Sequence, residues 1–294
     1  MASSLAPQMG HVCDIDGRRL WLDIAGTGGP AVVLLPGASA VGLDYLNIHR
    51  RVAAFTTSVL YDRGGTGLSD PVSLPRSAAE VAAELYGLLR ASGAPGPYVL
   101  VAHSLGGAYA RRFCQLYPTE VAGIVYLDAF WEDWDEHLPD TLHLRPVPVP
   151  ADWQLRLIGR LSRPYYRRMF VTWPAAVREP LIARHCSLAW QRAGALERGN
   201  QPQLRDEIKA AGPVPDVPSI ALTASGIDPG MRLVRSKKSL LELGAGKRRL
   251  YQALAHSVPG GEHRILDAAR HSTIHLDAAD QVTQAVRDLW QRLQ

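Results

Sequence analysis

The stretch "YVLVAHSLGGAYA", Tyr98 to Ala110, decides how this chain reads. An apolar run stops at Ser104, small residues flank the serine, and a helix-like segment follows. A continuous apolar run set off by glycine and proline suits a strand buried on both faces. A serine on the tight turn between such a strand and a helix holds its hydroxyl beyond the strand's end, with a strained backbone. Strand and helix nearly touch there, so the residues two positions away must be small. Gly106 and Gly107 meet that need on the helix side. On the strand side Ala102 replaces the first glycine of Gly-x-Ser-x-Gly and adds one methyl group. The following helix would direct its positive end at the site, and the backbone N–H of Leu105 would be free for a developing oxyanion.

The same strand–helix rhythm extends outward. "HVCDID" and "RLWLDIAG" read as two strands around Asp16-Gly17. "AVVLLPG" and "TSVLYDRGG" follow as strands, and "SAAEVAAELYGLLRASG" has helical spacing closed by Gly93. After "VAGIVYLDA" the strand runs vanish from about 130 to 217, then resume with "SIALTAS", a helix, "HRILDAA" and a terminal helix. The fold class is therefore α/β: a mostly parallel central sheet with helices on both faces. Residues 1–128 and 218–294 form its core domain. Residues 129–217 are too long for a structureless loop and form a helical cap.

In a parallel sheet, ligands bind beyond the carboxyl ends of the strands. Those ends carry Pro36-Gly37-Ala38-Ser39, Ser104, Asp128, Gly226-Ile227-Asp228 and His271. A serine, two candidate carboxylates and a histidine thus converge in the chain order Ser, Asp, His, as in a nucleophile elbow on an α/β sheet. The second oxyanion donor should come from the loop after "VVLLPG", at the N–H of Ala38.

With "PGAS", "YDRGGTGLSD", "AHSLGG", "SGID" and "ARHSTIHLD" in this order, residues 36 to 277, the chain resembles the α/β-hydrolase fold superfamily, in the group with a helical cap after strand six. The resemblance implies a catalytic triad of Ser104 as nucleophile, His271 as base and Asp228 as acid, with an oxyanion hole at Ala38 and Leu105. Asp128, after the sixth strand, is the alternative acid, and His275 the alternative base. Asp62, Arg63 and Asp70 would brace a loop beside the oxyanion site. Where the superfamily often has His-Gly at the oxyanion loop, this chain has Pro36-Gly37, so a side chain that often braces the loop is missing. A serine nucleophile argues against the epoxide hydrolases and haloalkane dehalogenases of the same fold, which use a carboxylate there.

Trp131, Trp134, Trp153, Trp173 and Trp190 fall in the cap segment. Most would supply its core; Trp131, Trp134 and Trp173 are candidates to line an apolar pocket over Ser104. The expected function is cleavage of an ester-type bond, as carboxylesterase or lactonase, in a small to medium, largely apolar substrate. Thioester, amide or carbon–carbon hydrolysis, and a non-hydrolytic small-molecule binding or cyclase-like protein, remain alternatives.

Composition sets further expectations. Hydrophobic residues make up 47% of the 294 and net charge is +4, an ordinary globular balance. Three scattered cysteines, Cys13, Cys114 and Cys186, give no disulfide or metal pattern. "HLPDTLH", with His137 and His143, has no established ligand spacing. No metal, cofactor, nucleic-acid or membrane partner is expected, and a cytoplasmic monomer or homodimer is. Residues 230–264 hold eight basic side chains, including Arg232, Lys237, Lys238 and Lys247, against Glu242 and Glu262. Such a run reads as a solvated helix face or as a patch for an anionic partner.

Overall fold

A computed structural model describes residues 9–294, apart from the side chain of residue 233. Its strands are β1 (His11–Ile15), β2 (Arg18–Ala25), β3 (Val32–Leu35), β4 (Ser58–Tyr61), β5 (Tyr98–His103), β6 (Val121–Leu127), β7 (Ser219–Gly226) and β8 (Glu262–Arg270). They form one sheet in the order β1-β2-β4-β3-β5-β6-β7-β8. β1 and β2 make the expected hairpin, with Asp16 and Gly17 both at positive φ. β2 runs antiparallel to β4, and the remaining pairs are parallel. The α/β reading of the sequence is the observed architecture.

The helices are α1 (Leu46–Val52), α2 (Ala78–Ser92), α3 (Gly106–Leu116), α4 (Trp134–His137), α5 (Asp152–Met169), α6 (Ala175–His185), α7 (Leu188–Gly199), α8 (Gln201–Ala210), α9 (Pro229–Val234), α10 (Lys237–His256), α11 (Ile274–Asp277) and α12 (Ala279–Arg292). β3 and β5 are buried along their whole lengths. Side chains alternate across a strand, so each strand feeds two cores. Val33, Leu35, Leu100 and Ala102 pack on one face with Leu85 of α2 and Phe113 of α3. Val32, Leu34, Val99 and Val101 pack on the other with Ile48 of α1 and Val286 of α12. α2 starts where the sequence says it should: Ser77 Oγ accepts the Glu80 N–H while the Glu80 carboxylate accepts the Ser77 N–H, a reciprocal cap.

Between β6 and β7 the chain contains helices and no strand, as the loss of apolar runs implies. Its large side chains join the two existing cores. Phe130 and Trp131 belong to the first, and Phe170, Trp173 and Trp190 to the second. This helical segment is therefore seated on the sheet through continuous apolar packing.

Candidate active site

Ser104 stands at the end of β5 with φ of 49°, the strained left-handed region. The turn is held from both sides: Ser104 N–H donates to Leu127 O at 3.2 Å, and Ser104 O accepts from Gly107 and Phe130. Crowding explains the two glycines. A Cβ on Gly106 would lie 2.3 Å from Leu35 O, and one on Gly107 would lie 2.5 Å from Phe130 O. Ala102 is different. Its methyl packs into the first core with Leu35, and the turn keeps its shape.

His271 follows β8 directly. Its Nε2 lies 3.0 Å from Ser104 Oγ, and its Nδ1 lies 2.7 Å from Asp128 Oδ2. The carboxylate that meets the imidazole is thus the one after β6, and the expectation that Asp228 fills this position is corrected. Asp228 is partly exposed at the start of α9. Its carboxylate accepts only the Ser272 N–H among the described residues, at 3.3–3.4 Å. Asp128 is buried, sits at φ of 45°, and is surrounded by donors. Oδ1 accepts the Ala224 N–H at 3.2 Å, and Oδ2 accepts Lys247 Nζ at 2.6 Å. Burial alone would raise its pKa. The Lys247 charge and the His271 hydrogen bond more than offset that and hold it at about 2.

His275, the alternative base, is buried against the Tyr45 ring, and neither ring nitrogen has a partner among the described residues. Burial pushes its pKa down to about 4. His103 has a bridging place instead. Its Nε2 donates to His271 O at 2.9 Å and its Nδ1 accepts the Tyr45 hydroxyl at 2.5 Å. Tyr45 Oη in turn accepts the Gly37 N–H at 3.3 Å. These partners fix the His103 tautomer. Burial, followed by the neighbouring histidines, lowers its pKa well below the usual value, so it is a neutral strut between the Pro36–Ser39 loop and His271.

The Pro36–Ser39 loop has a second brace. The buried Arg63 guanidinium donates to Pro36 O at 2.7 Å and to Gly37 O at 3.0 Å. It also pairs with Glu197 of α7 at 2.8 Å, and Glu197 Oε2 accepts the Ser39 N–H at 3.1 Å. Neither the Ala38 nor the Leu105 N–H is spent on a hydrogen bond among the described residues. The bracing expected of Arg63 is present. Asp62 acts nearby, accepting the Gly42 and Leu68 N–H groups, and Asp70 pairs with Arg19.

Comparison with known proteins identifies the family. The family model described as "Alpha/beta hydrolase family" matches residues 32–285. The chain belongs to the alpha/beta hydrolase family. An uncharacterised protein of Schizosaccharomyces pombe is 42% identical over 74 residues, covering 25% of this chain and 14% of that protein. A 2-hydroxy-6-oxononadienedioate/2-hydroxy-6-oxononatrienedioate hydrolase of Burkholderia vietnamiensis is 34% identical over 114 residues, 37% of this chain and 39% of that protein. The chain thus matches well under half the length of either relative. Among solved structures, a thermophilic esterase from Thermogutta terrifontis superposes with a TM-score of 0.61 at 18% identity, over 97% of this chain and 98% of that one. That likeness is one of fold.

In this alpha/beta hydrolase, a cavity of about 550 Å³ opens over Ser104 and His271. Tyr165, Tyr166 and Met169 of α5 and Met231 and Val234 of α9 line it. So do Arg198 and the buried Asp44–His185 pair, 2.8 Å apart, so the wall is part apolar and part polar. None of the tryptophans expected in the pocket lines this cavity. Trp131 and Trp173 fill the seam between cap and sheet, Trp173 donating to Leu43 O at 2.8 Å. Trp134 borders a smaller cavity of about 240 Å³ behind Asp128 and Lys247. Large rings gain most where they are buried on every side, and the seam offers more of that than an open pocket.

Sequence reading missed Lys247, Glu197 and Tyr45. Lys247 did leave a trace. It shares one helix face with Leu250, Tyr251 and Leu254, all buried, and a lysine on an apolar stripe asks for a buried carboxylate.

Proposed function

We propose that the protein is a serine hydrolase that cleaves an ester-type bond, as carboxylesterase or lactonase, through an acyl-enzyme on Ser104. One observation carries this reading: the unbroken chain of hydrogen bonds from Ser104 Oγ through His271 to Asp128, facing a cavity. Ser104 Oγ attacks the carbonyl carbon while His271 Nε2 takes its proton. The carbonyl oxygen gains a negative charge, met by the N–H groups of Leu105 and Ala38. The tetrahedral centre then collapses, the bond to the leaving alkoxide breaks, and His271 returns the proton to that oxygen. A water molecule repeats the sequence in reverse roles, releasing the carboxylic acid and restoring the serine. Asp128 holds the His271 tautomer and offsets the charge of the imidazolium; Lys247 keeps Asp128 ionised.

A binding protein has no use for this hydrogen-bonded set, which supports the enzyme over the non-hydrolytic alternative. A fluorophosphonate probe tests the choice. The wild type should be labelled and should hydrolyse short p-nitrophenyl esters, and Ser104→Ala should do neither. An unlabelled, inactive wild type sinks the hydrolase reading. A panel of esters, lactones, thioesters and amides then ranks the bond classes.

A further inference from the structure

Helix α5 carries three stripes along its length. Leu155, Gly159 and Tyr166 face the protein. Trp153, Leu157 and Leu161, spaced by four residues, form a second stripe that faces outward; Trp153 is 65% and Leu161 69% exposed. Ile158 and Tyr165 flank it, also exposed. Arg156, Arg160, Arg163 and Arg167 form the third stripe, all exposed. None has a carboxylate partner among the described residues, and the helix's one acid, Asp152, is paired with Arg192. Exposed apolar residues in one row, beside arginines in the next, do not describe an ordinary solvated helix.

This face leads to the mouth of the Ser104 cavity. Tyr165 both lines the cavity and is exposed, and so, across the opening, is Val234, 78% exposed. The far rim repeats the pattern of α5: Val234 and the 65% exposed Leu241 stand among Arg232, Lys237 and Lys238. Asp228 and Glu242 are the acids there, Glu242 lying 3.8 Å from Lys238.

We propose that α5 and the α9–α10 rim dock on an anionic lipid bilayer, with the mouth of the cavity turned toward the membrane surface. Of the basic residues at 230–264, Arg232, Lys237 and Lys238 find a role as the second half of that surface, whereas Lys247, Arg248 and Arg264 are paired with acids and Arg249 donates to His137 O. No helix among the described residues is long and apolar enough to cross a membrane; the contact is one of an amphipathic helix lying in the interface. A second copy of the chain fits the face less well, because a two-fold contact through α5 would set the unpaired arginines of both copies against each other. The docking departs from the expectation of no membrane partner. Resting on the hydrolase reading, the docking further implies a substrate that is an apolar acyl ester drawn from the bilayer.

Co-sedimentation with phosphatidylcholine vesicles, with and without phosphatidylglycerol, tests the docking. The full chain should pellet with the anionic vesicles, stay in solution with the neutral ones, and be released by high salt. Arg156→Gln, Arg160→Gln, Arg163→Gln and Arg167→Gln should each weaken binding roughly fivefold. The combined Trp153→Ser, Leu157→Ser and Leu161→Ser variant should abolish it. Hydrolysis of a soluble p-nitrophenyl ester should be unchanged in all of them, which shows that they fold. The proposal is overturned by wild-type protein that ignores anionic vesicles, by binding that survives both sets of substitutions, or by a dimer that the serine variant splits. Fluorophosphonate labelling without vesicle binding would sink the docking alone. Vesicle binding without labelling would sink only the hydrolase reading and, with it, the ester substrate.

Discussion

Two aspartates stand just past the ends of neighbouring strands, Asp128 after β6 and Asp228 after β7, and only one is built into the site. Asp128 is buried, with three donors on its carboxylate: Ala224 N–H, Lys247 Nζ and His271 Nδ1. Asp228 is partly exposed, and its two oxygens share the single Ser272 N–H at 3.3–3.4 Å. A strand-end position therefore only nominates a residue. What makes a carboxylate useful to an imidazole is a shell that keeps it ionised and aimed, and the charged member of that shell, Lys247, comes from α10, more than a hundred residues further along the chain.

The largest effect should come from exchanging the two carboxylates' fates. Asp128→Asn should lower kcat by about 10⁴, the size expected when the imidazole loses the acceptor that fixes its tautomer. Asp228→Asn should stay within roughly tenfold of wild type, since it touches no reacting group. Steady-state kinetics on a p-nitrophenyl ester decides, and the opposite ranking would put the acid back on β7.

Next comes the brace beneath the Pro36–Ser39 loop, a comparison between a buried ion pair and an exposed one. Glu197→Gln leaves the buried Arg63 without its carboxylate, and removing one partner of such a pair destabilises by about 3 kcal/mol. Urea unfolding should show that loss, with a fall in kcat as Pro36–Ser39 loosens. The contrasting pair is on the surface: Lys238→Met, at 3.8 Å from Glu242, should change stability by under ~0.5 kcal/mol. Equal effects would mean that the burial of Arg63 and Glu197 has no consequence.

Lys247→Met asks how much of Asp128's character is electrostatic. Asp128 has a folded pKa of about 2, below its ordinary 3.8. A depressed carboxylate contributes stability that is present above the unfolded pKa and lost as pH falls through the folded one. The contribution is about 2 kcal/mol at neutral pH and fades between roughly pH 4 and pH 2. Without Lys247 the folded pKa rises, so acid unfolding should begin at a higher pH than in the wild type. Identical acid-unfolding midpoints would remove Lys247 from the account.

What could be read in the sequence followed from local rules. Strands announce themselves by apolar runs, α2 by its helical spacing and closing Gly93, and Ser104 by the small residues that its turn demands. His271 was readable because its role depends on a strand end. The two strand-end aspartates read alike, because the residue that separates them is a lysine on a distant helix. The cap tryptophans were misplaced for a related reason. Composition tells that large rings must be buried, but the direction of burial, into the seam with the sheet or over the cavity, is set by tertiary packing. Arg63 could be named as a brace, whereas its partner Glu197 had no local signal at all.

The smallest effect concerns the two sides of the nucleophile turn. On the helix side, Gly106→Ala would drive a methyl group to 2.3 Å from Leu35 O, and the turn cannot accept it without moving. On the strand side the methyl is already there, in Ala102, buried in the core with no change to the strained φ of Ser104. Restoring the commoner residue should therefore gain nothing. Ala102→Gly deletes a packed methyl and frees the unfolded backbone, so it should lower stability by about 1 kcal/mol and leave kcat within twofold. A rise in kcat would mean that the methyl holds Ser104 away from its best geometry; a fall of tenfold would mean that the turn borrows its rigidity from the strand side as well.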